Sequence, residues 1–197
     1  MYDEAARTLK KRHKLLMRFL AGSTLLLVGY GAASLFGYVQ GWQSTLVPPP
    51  AGYYRVVEVA DGDTFSVSMD GIEERVRLVG IDTPETHKPN TPVQCYGPEA
   101  SDFTASLIQH KAVQLKADSK QPNRDKYGRL LRYAYLENGD ELNELLMREG
   151  YALATSFNTE KKKTLQELQQ QAKDAKKGLW GNCTVETVNG RLQTNEL

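Results

Sequence analysis

The chain has 197 residues, of which 40% are hydrophobic and 25% charged, the balance of an ordinary globular protein with room for one domain and something more. Its formal net charge of +1 is unevenly placed: residues 1–18 hold six Lys/Arg against Asp3 and Glu4, which leaves 19 Lys/Arg and 22 Asp/Glu elsewhere. A slightly acidic body excludes nucleic-acid binding through bulk basicity, so any such role must come from a local site.

The basic start at 1–18 runs into FLAGSTLLLVGYGAASLFGYV, residues 19–39, which carries no charged side chain. As a helix it would rise about 30 Å, enough to span a hydrocarbon core as a transmembrane helix. The preceding Lys/Arg predict a cytoplasmic N-terminus, and Tyr38 and Trp42 fall where an interfacial aromatic belt would lie. A cleaved signal peptide is the other reading, with an apolar core ending near Tyr30 and small residues at Gly31 to Ala33, and it would make the protein secreted. The apolar length and the continuation SLFGYV favour an uncleaved, single-pass anchor in the cell membrane, with the body outside the cytoplasm. Residues 40–52 then include Pro48, Pro49 and Pro50 and predict a stiff, extended linker.

Residues 53–183 are expected to form one folded domain, followed by a tail at 184–197. YYRVVEVA (53–60) and TFSVSM (64–69) are rich in β-branched and aromatic side chains and flank the Asp61-Gly62 turn signal. After Asp70-Gly71, IEERVRLVGI (72–81) alternates toward Asp82 as a third strand. From Pro98 the period changes, and Ala100, Phe103, Leu107 and Ile108 share one side of a helix with proline in its first turn. AVQLKAD (112–118) and RLLRYAYLE (129–137) predict two more strands, and DELNELLMREG (140–150) a short helix closed by Gly150. Residues 159–177 predict a last helix with Leu165, Leu168, Ala172 and Ala175 on one stripe. The fold class that follows is α+β, mainly β: a five-stranded closed sheet of the oligonucleotide/oligosaccharide-binding (OB-fold) type with three packed helices.

Three polar spots interrupt this pattern. Asp61-Gly62-Asp63-Thr64 surrounds a hairpin turn, Asp82-Thr83-Pro84-Glu85 follows the third strand, and Asp125-Lys126-Tyr127-Gly128-Arg129 precedes the fifth. Taken singly, each is accounted for by turn chemistry. Taken together, aspartates at adjacent strand ends can converge on one hard cation, which takes oxygen ligands. The histidines His13, His87 and His110 are scattered and form no transition-metal set.

The spots stand in VADGDTF, RLVGIDTPE, CYGPEA, RDKYGRLLRY and LNELLMREGYA. In that order and spacing, the segment from Val56 to about Gly181 resembles the staphylococcal nuclease (thermonuclease) family. The resemblance implies an OB-type barrel with three helices and a Ca²⁺-dependent endonuclease. Such an enzyme hydrolyses phosphodiester bonds of DNA and RNA to 3′-phosphate-ended products with little sequence specificity; single-stranded or locally melted substrate and a monomeric state are expected. By position, Asp63 and Asp82 would be carboxylate ligands of Ca²⁺ and Thr83 a ligand through its backbone carbonyl, with Asp61 supporting them from behind. Glu85 would orient or deprotonate the attacking water, Arg77 and Arg129 would hold the phosphate from two sides, and Lys126 and Tyr127 would contact a terminal phosphate. The family's tyrosine-bearing loop after the second helix is unmatched, since ALATSFN (152–158) offers only Phe157 there.

The chemistry agrees with these assignments. A phosphodiester repels nucleophiles, so attack by water needs charge neutralisation at the phosphoryl oxygens and an activated nucleophile. Guanidinium groups fork onto phosphate and stay protonated at any working pH. Arg77 and Asp82 are five apart on one extended run and start on opposite faces, so a bend at Thr83-Pro84 must bring Glu85 round. The other reading is a non-catalytic OB-type module that binds single-stranded nucleic acid, and such a relative would be expected to lack part of this set. Cys95 and Cys183 both fall in the part expected outside the cytoplasm, where an oxidising environment favours a disulfide over two free thiols.

Overall fold

In a computed structural model the described residues are 48–86 and 92–197, and the folded body lies within 49–197. The basic start and the apolar segment 19–39 lie outside the described residues. Among the described residues, no helix is long and apolar enough to cross a membrane.

Five strands close a barrel in the order β1 (Tyr53–Asp61), β2 (Thr64–Met69), β3 (Ile72–Leu78), β6 (Leu130–Tyr135) and β5 (Ala112–Ala117), with β5 returning to β1. The pairs are antiparallel except β3 with β6, which run parallel with Val76 opposite Leu130 and Leu78 opposite Arg132. Closure depends on β1, whose register shifts after Val56 and again after Val59. Such bulges bend and twist a strand. The start of β1 can therefore pair with β5 while its remainder pairs with β2. Alternate side chains Phe65 and Val67, Val76 and Leu78, and Leu130 and Ala134 point inward and are fully or almost fully buried.

The third strand is shorter than expected. It stops at Leu78; Gly80, at φ +82°, makes a corner, and β4 (Ile81–Asp82) pairs with β7 (Leu153–Ala154) in a separate small sheet. Glycine is needed at the corner, because a Cβ there would lie 2.6 Å from Leu165 Cδ1 as well as being strained by the positive φ.

Helix α1 (Gly97–Ile108) buries Ala100, Thr104 and Ile108 against the barrel, with Phe103 and Leu107 half-buried beside them. Helix α2 (Leu142–Arg148) buries Leu142, Leu146 and Met147, and α3 (Lys162–Asp174) buries Leu165 and Ala172. Ala175, expected on that stripe, lies past the end of α3 and is exposed. The turn after α2 meets the segment before a short fourth helix, α4 (Leu179–Asn182), main chain to main chain: Leu179 N–H donates to Gly150 O at 2.8 Å. A Cβ at Gly150 would lie 2.3 Å from Lys177 O.

The segment expected as a tail carries a hairpin, β8 (Val185–Val188) with β9 (Arg191–Thr194). Its turn, Asn189-Gly190, holds φ values of +50° and +77°, the left-handed pair that such a tight connection requires. Cys95 and Cys183 are joined in a disulfide across a sequence separation of 88.

Candidate active site

The β1–β2 hairpin, the corner after β3 and the loop before β6 meet at one end of the barrel. The first of these is fixed from two sides. Thr104 of α1 donates its hydroxyl to Gly62 O at 2.7 Å, and a Cβ on Gly62 would strike Thr83 and Ala100, so the turn sits flush against the helix and the Asp82 segment. Asp63 is thereby turned inward and is 4% exposed. Its Oδ2 accepts from Thr83 N–H at 2.8 Å and from Arg77 Nη2 at 2.9 Å, and its Oδ1 accepts the Thr64 hydroxyl at 3.0 Å. Asp61 accepts the Asp63 N–H at 3.1 Å and so stands behind it.

Arg77 lies opposite Thr64 in the β2–β3 ladder, and the Gly80 corner brings the chain back over it. Its Nη1 donates to the carbonyls of Leu78 and Ile81, both at 2.9 Å, while Nη2 bridges Asp63 and Asp82. Arg77 and Asp82 thus meet directly, contrary to the expectation that a single extended run would start them on opposite faces. The chain reverses at Gly80, a corner that was not expected.

The electrostatics follow from this crowding. Burial, then the neighbouring Asp63, push Asp61 up to about 7. Burial pushes Asp82 up to about 6, with Asp63 and Glu85 adding to it against the pull of Arg77. The Asp82 side chain is still 38% exposed, so water moderates the burial contribution while the repulsion between carboxylates persists. Burial would strip the proton from Arg77, but Asp63, Asp82, Asp61 and Glu85 together hold it above the usual arginine range. Four carboxylates around one guanidinium leave this end of the barrel short of positive charge.

The second arginine arrives on the Asp125–Arg129 loop. Asp125 accepts the Tyr127 and Arg129 N–H groups at 2.9 and 3.0 Å and pairs with Arg129 Nε at 2.8 Å. Arg129 Nη1 then reaches the Thr64 hydroxyl at 3.3 Å, the same group that donates to Asp63. Tyr127 is 71% exposed, with its ring beside Lys126 Nζ and the Arg129 guanidinium at 4.9 and 5.4 Å. The structure therefore collects Asp61, Asp63, Arg77, Asp82, Thr83 and Arg129 in one bonded set, with Glu85 beside it and Lys126 and Tyr127 at its outer edge. Thr83 contributes its N–H to Asp63 here. Phe157 is 55% exposed in the loop after β7, where Thr155 N–H bonds Gly80 O, so it leaves on the corner side of β4 and not on the Glu85 side.

Three members of the site escape a reading by residue type. Thr64 links Asp63 to Arg129, Asp125 aims Arg129, and Gln94 grips the main chain of Glu85, accepting its N–H at 2.8 Å and donating to its carbonyl at 2.9 Å. Asp125 has a detectable signal in its four-residue spacing from Arg129; the other two have none.

The donor chemistry fits a hard divalent cation: oxygen ligands and an excess of negative charge at one point. Among the described residues, no group of three or more His, Cys, Asp or Glu side chains stands at metal-ligand spacing. A cation here would have two carboxylates, Asp63 and Asp82, and would complete its shell with main-chain oxygen and water.

A closed five-stranded barrel with three packed helices, bearing acidic and arginine side chains at one end, defines an OB-fold protein with a charged site at that end. The family model described as "Staphylococcal nuclease homologue" matches residues 75–182, and the chain belongs to that family. It is 45% identical to a thermonuclease of Staphylococcus hyicus over 132 residues, covering 66% of this chain and 76% of that protein. It is 38% identical to a thermonuclease of Staphylococcus intermedius over 170 residues, covering 83% and 99% respectively. Endonuclease YncB of Bacillus subtilis is 38% identical over 161 residues, covering 78% of this chain and 75% of that protein.

Proposed function

We propose that the protein is a nuclease that hydrolyses phosphodiester bonds in DNA and RNA, with Ca²⁺ as cofactor, little sequence specificity and 3′-phosphate-ended products. The observation that carries this reading is the meeting of Asp63, Asp82, Arg77 and Arg129 at one barrel end with Glu85 beside them; the thermonuclease and endonuclease relatives support it. In this reading Asp63 and Asp82, with the Thr83 carbonyl, would hold the cation, which would supply charge neutralisation at the phosphoryl oxygens and a lower pKa for bound water. Glu85 takes the proton of the attacking water. Arg129, aimed by Asp125, forks onto the phosphate, and Arg77 joins it by exchanging its carboxylate and carbonyl acceptors for phosphoryl oxygens. Lys126 and Tyr127, on the exposed loop, contact a terminal phosphate. Single-stranded substrate suits the small site, because a locally melted strand brings its backbone close to a recessed centre.

The test is digestion of single-stranded DNA by the wild-type chain with Ca²⁺ or with chelator, alongside Glu85→Gln. Wild type with Ca²⁺ cuts; chelation abolishes cutting, and Glu85→Gln lowers kcat by about 10²- to 10⁴-fold, the usual worth of a general base. Equal activity in all three arms removes the mechanism, and binding without cutting in every arm makes the protein a non-catalytic module.

The same reading places the body outside the cytoplasm, on the membrane through residues 19–39 or secreted after their removal. The Cys95–Cys183 disulfide supports an oxidising location. Protease added to intact cells removes the body of an anchored protein; complete protection of the body refutes this placement.

A further inference from the structure

Glu85 is held through a series of bonds that ends outside the matched family residues, which run from 75 to 182. Its N–H and carbonyl are both bonded to Gln94, a buried residue whose own carbonyl accepts Gly97 N–H at the start of α1. Gln94 is in turn the middle residue of a segment clamped by the C-terminal hairpin. Leu197 N–H donates to Val93 O at 3.0 Å, Gln94 bridges Glu196, Cys95 N–H donates to Asn195 O at 2.7 Å, and the Thr194 hydroxyl donates to Cys95 O at 2.8 Å. The other end of this strap is fixed where Thr184 and Asn195 bond reciprocally, main chain to main chain at 3.0 Å and main chain to side chain at 2.9 Å, one residue from Cys183 and its disulfide to Cys95.

We infer that Gln94 is a positioning residue for Glu85 and that the disulfide-tied hairpin is the strap that keeps it in place. The inference rests on the nuclease reading for its catalytic consequence and on the hydrogen bonds alone for its mechanical part. A carboxylate that must meet a water molecule in a narrow range of geometry gains from a main chain locked on both sides. The Gln94 side chain supplies that lock through the Glu85 main chain, while the strap also brings the charge of Arg191 near Asp82; loss of the Gln94 bond alone should therefore change turnover more than substrate binding.

The experiment uses the full chain and three variants: Gln94→Leu, which removes the acceptor; Gln94→Glu, which keeps one; and the double change Cys95→Ser with Cys183→Ser. Amide exchange at Glu85 is expected to be slow in wild type and Gln94→Glu and to speed up in Gln94→Leu and the cysteine variant, at temperatures where all four stay folded. Hydrolysis of single-stranded DNA is expected to lose about ten- to a hundredfold in kcat in Gln94→Leu, as for a small misplacement of a reacting group, with KM nearly unchanged and Gln94→Glu retaining most of the rate. Added to Glu85→Gln, Gln94→Leu is expected to cost nothing further, since both changes then act on one group. Unchanged exchange at Glu85, unchanged kcat, or a full additive loss on top of Glu85→Gln overturns the inference. If the wild-type chain cuts no nucleic acid, the nuclease reading falls, and exchange at Glu85 still decides whether the strap acts as described.

Discussion

Arg77 donates to two carbonyls and two carboxylates at once, and its side chain is only 14% exposed. Removing it would leave Asp63, itself 4% exposed, with a buried charge and no cation against it. Breaking a buried pair from one side typically costs about 3–5 kcal/mol. Arg77→Leu should therefore lower stability by about that much in urea unfolding with chelator present, whereas Arg129→Leu, which breaks a half-buried pair with the single carboxylate of Asp125, should cost less, about 1.5–3 kcal/mol. Similar losses for both would show that Arg77 is not the counter-charge of this cluster. At this scale the sequence reveals which residues carry charge and hides how they are shared. Asp63, Arg77, Asp82 and Arg129 are legible in their motifs, but the Thr64 hydroxyl between them is an ordinary strand threonine until the fold sets Arg129 next to it, 65 residues away in sequence.

At the scale of elements, the joint between β5, β6 and α3 rests on Asp118. Its Oδ2 accepts the Tyr133 hydroxyl at 2.6 Å and Glu160 N–H at 2.8 Å, and its Oδ1 accepts Lys120 N–H at 2.7 Å. Burial acts to raise this carboxyl, but the hydrogen bonds led by Tyr133 outweigh it and hold the group below the usual aspartate range. A depressed carboxyl contributes stability above its unfolded-state pKa and loses that contribution as pH falls through the folded-state value. Asp118→Asn should thus cost about 1.5–3 kcal/mol at pH 7, the worth of hydrogen bonds to a charged group, and progressively less in acid, as followed by urea unfolding across pH. A difference that stays constant down to the acid limit would exclude ionisation as its source. Most elements were readable from periodicity and turn residues, since Phe65 and Val67 alternate and Ala100, Phe103, Leu107 and Ile108 recur at helical spacing. The corner at Gly80 was not, because Leu78, Val79 and Ile81 are all apolar and a positive φ leaves no mark on composition. The β8–β9 hairpin does carry the Asn-Gly signal, but its flanking strands are short and mostly exposed, so no hydrophobic face announces them.

For the molecule as a whole, the Cys95–Cys183 bridge ties the segment before α1 to the segment after α4 and closes a loop spanning 88 positions. On the loop-entropy model such a closure contributes about 4–5 kcal/mol. Reduction should therefore lower the thermal midpoint by many degrees, and alkylation without reduction should label neither cysteine; two labelled thiols in the native protein would refute the bridge. The parallel alignment of β6 with β3 has a different reach. It brings Arg129 to Thr64, the hydroxyl partner of Asp63, only once the intervening helix and β5 are in place and the barrel has closed. A chain still leaving the ribosome holds the acidic half of the site without its second arginine. The nuclease proposed here is then chemically silent until the barrel has closed.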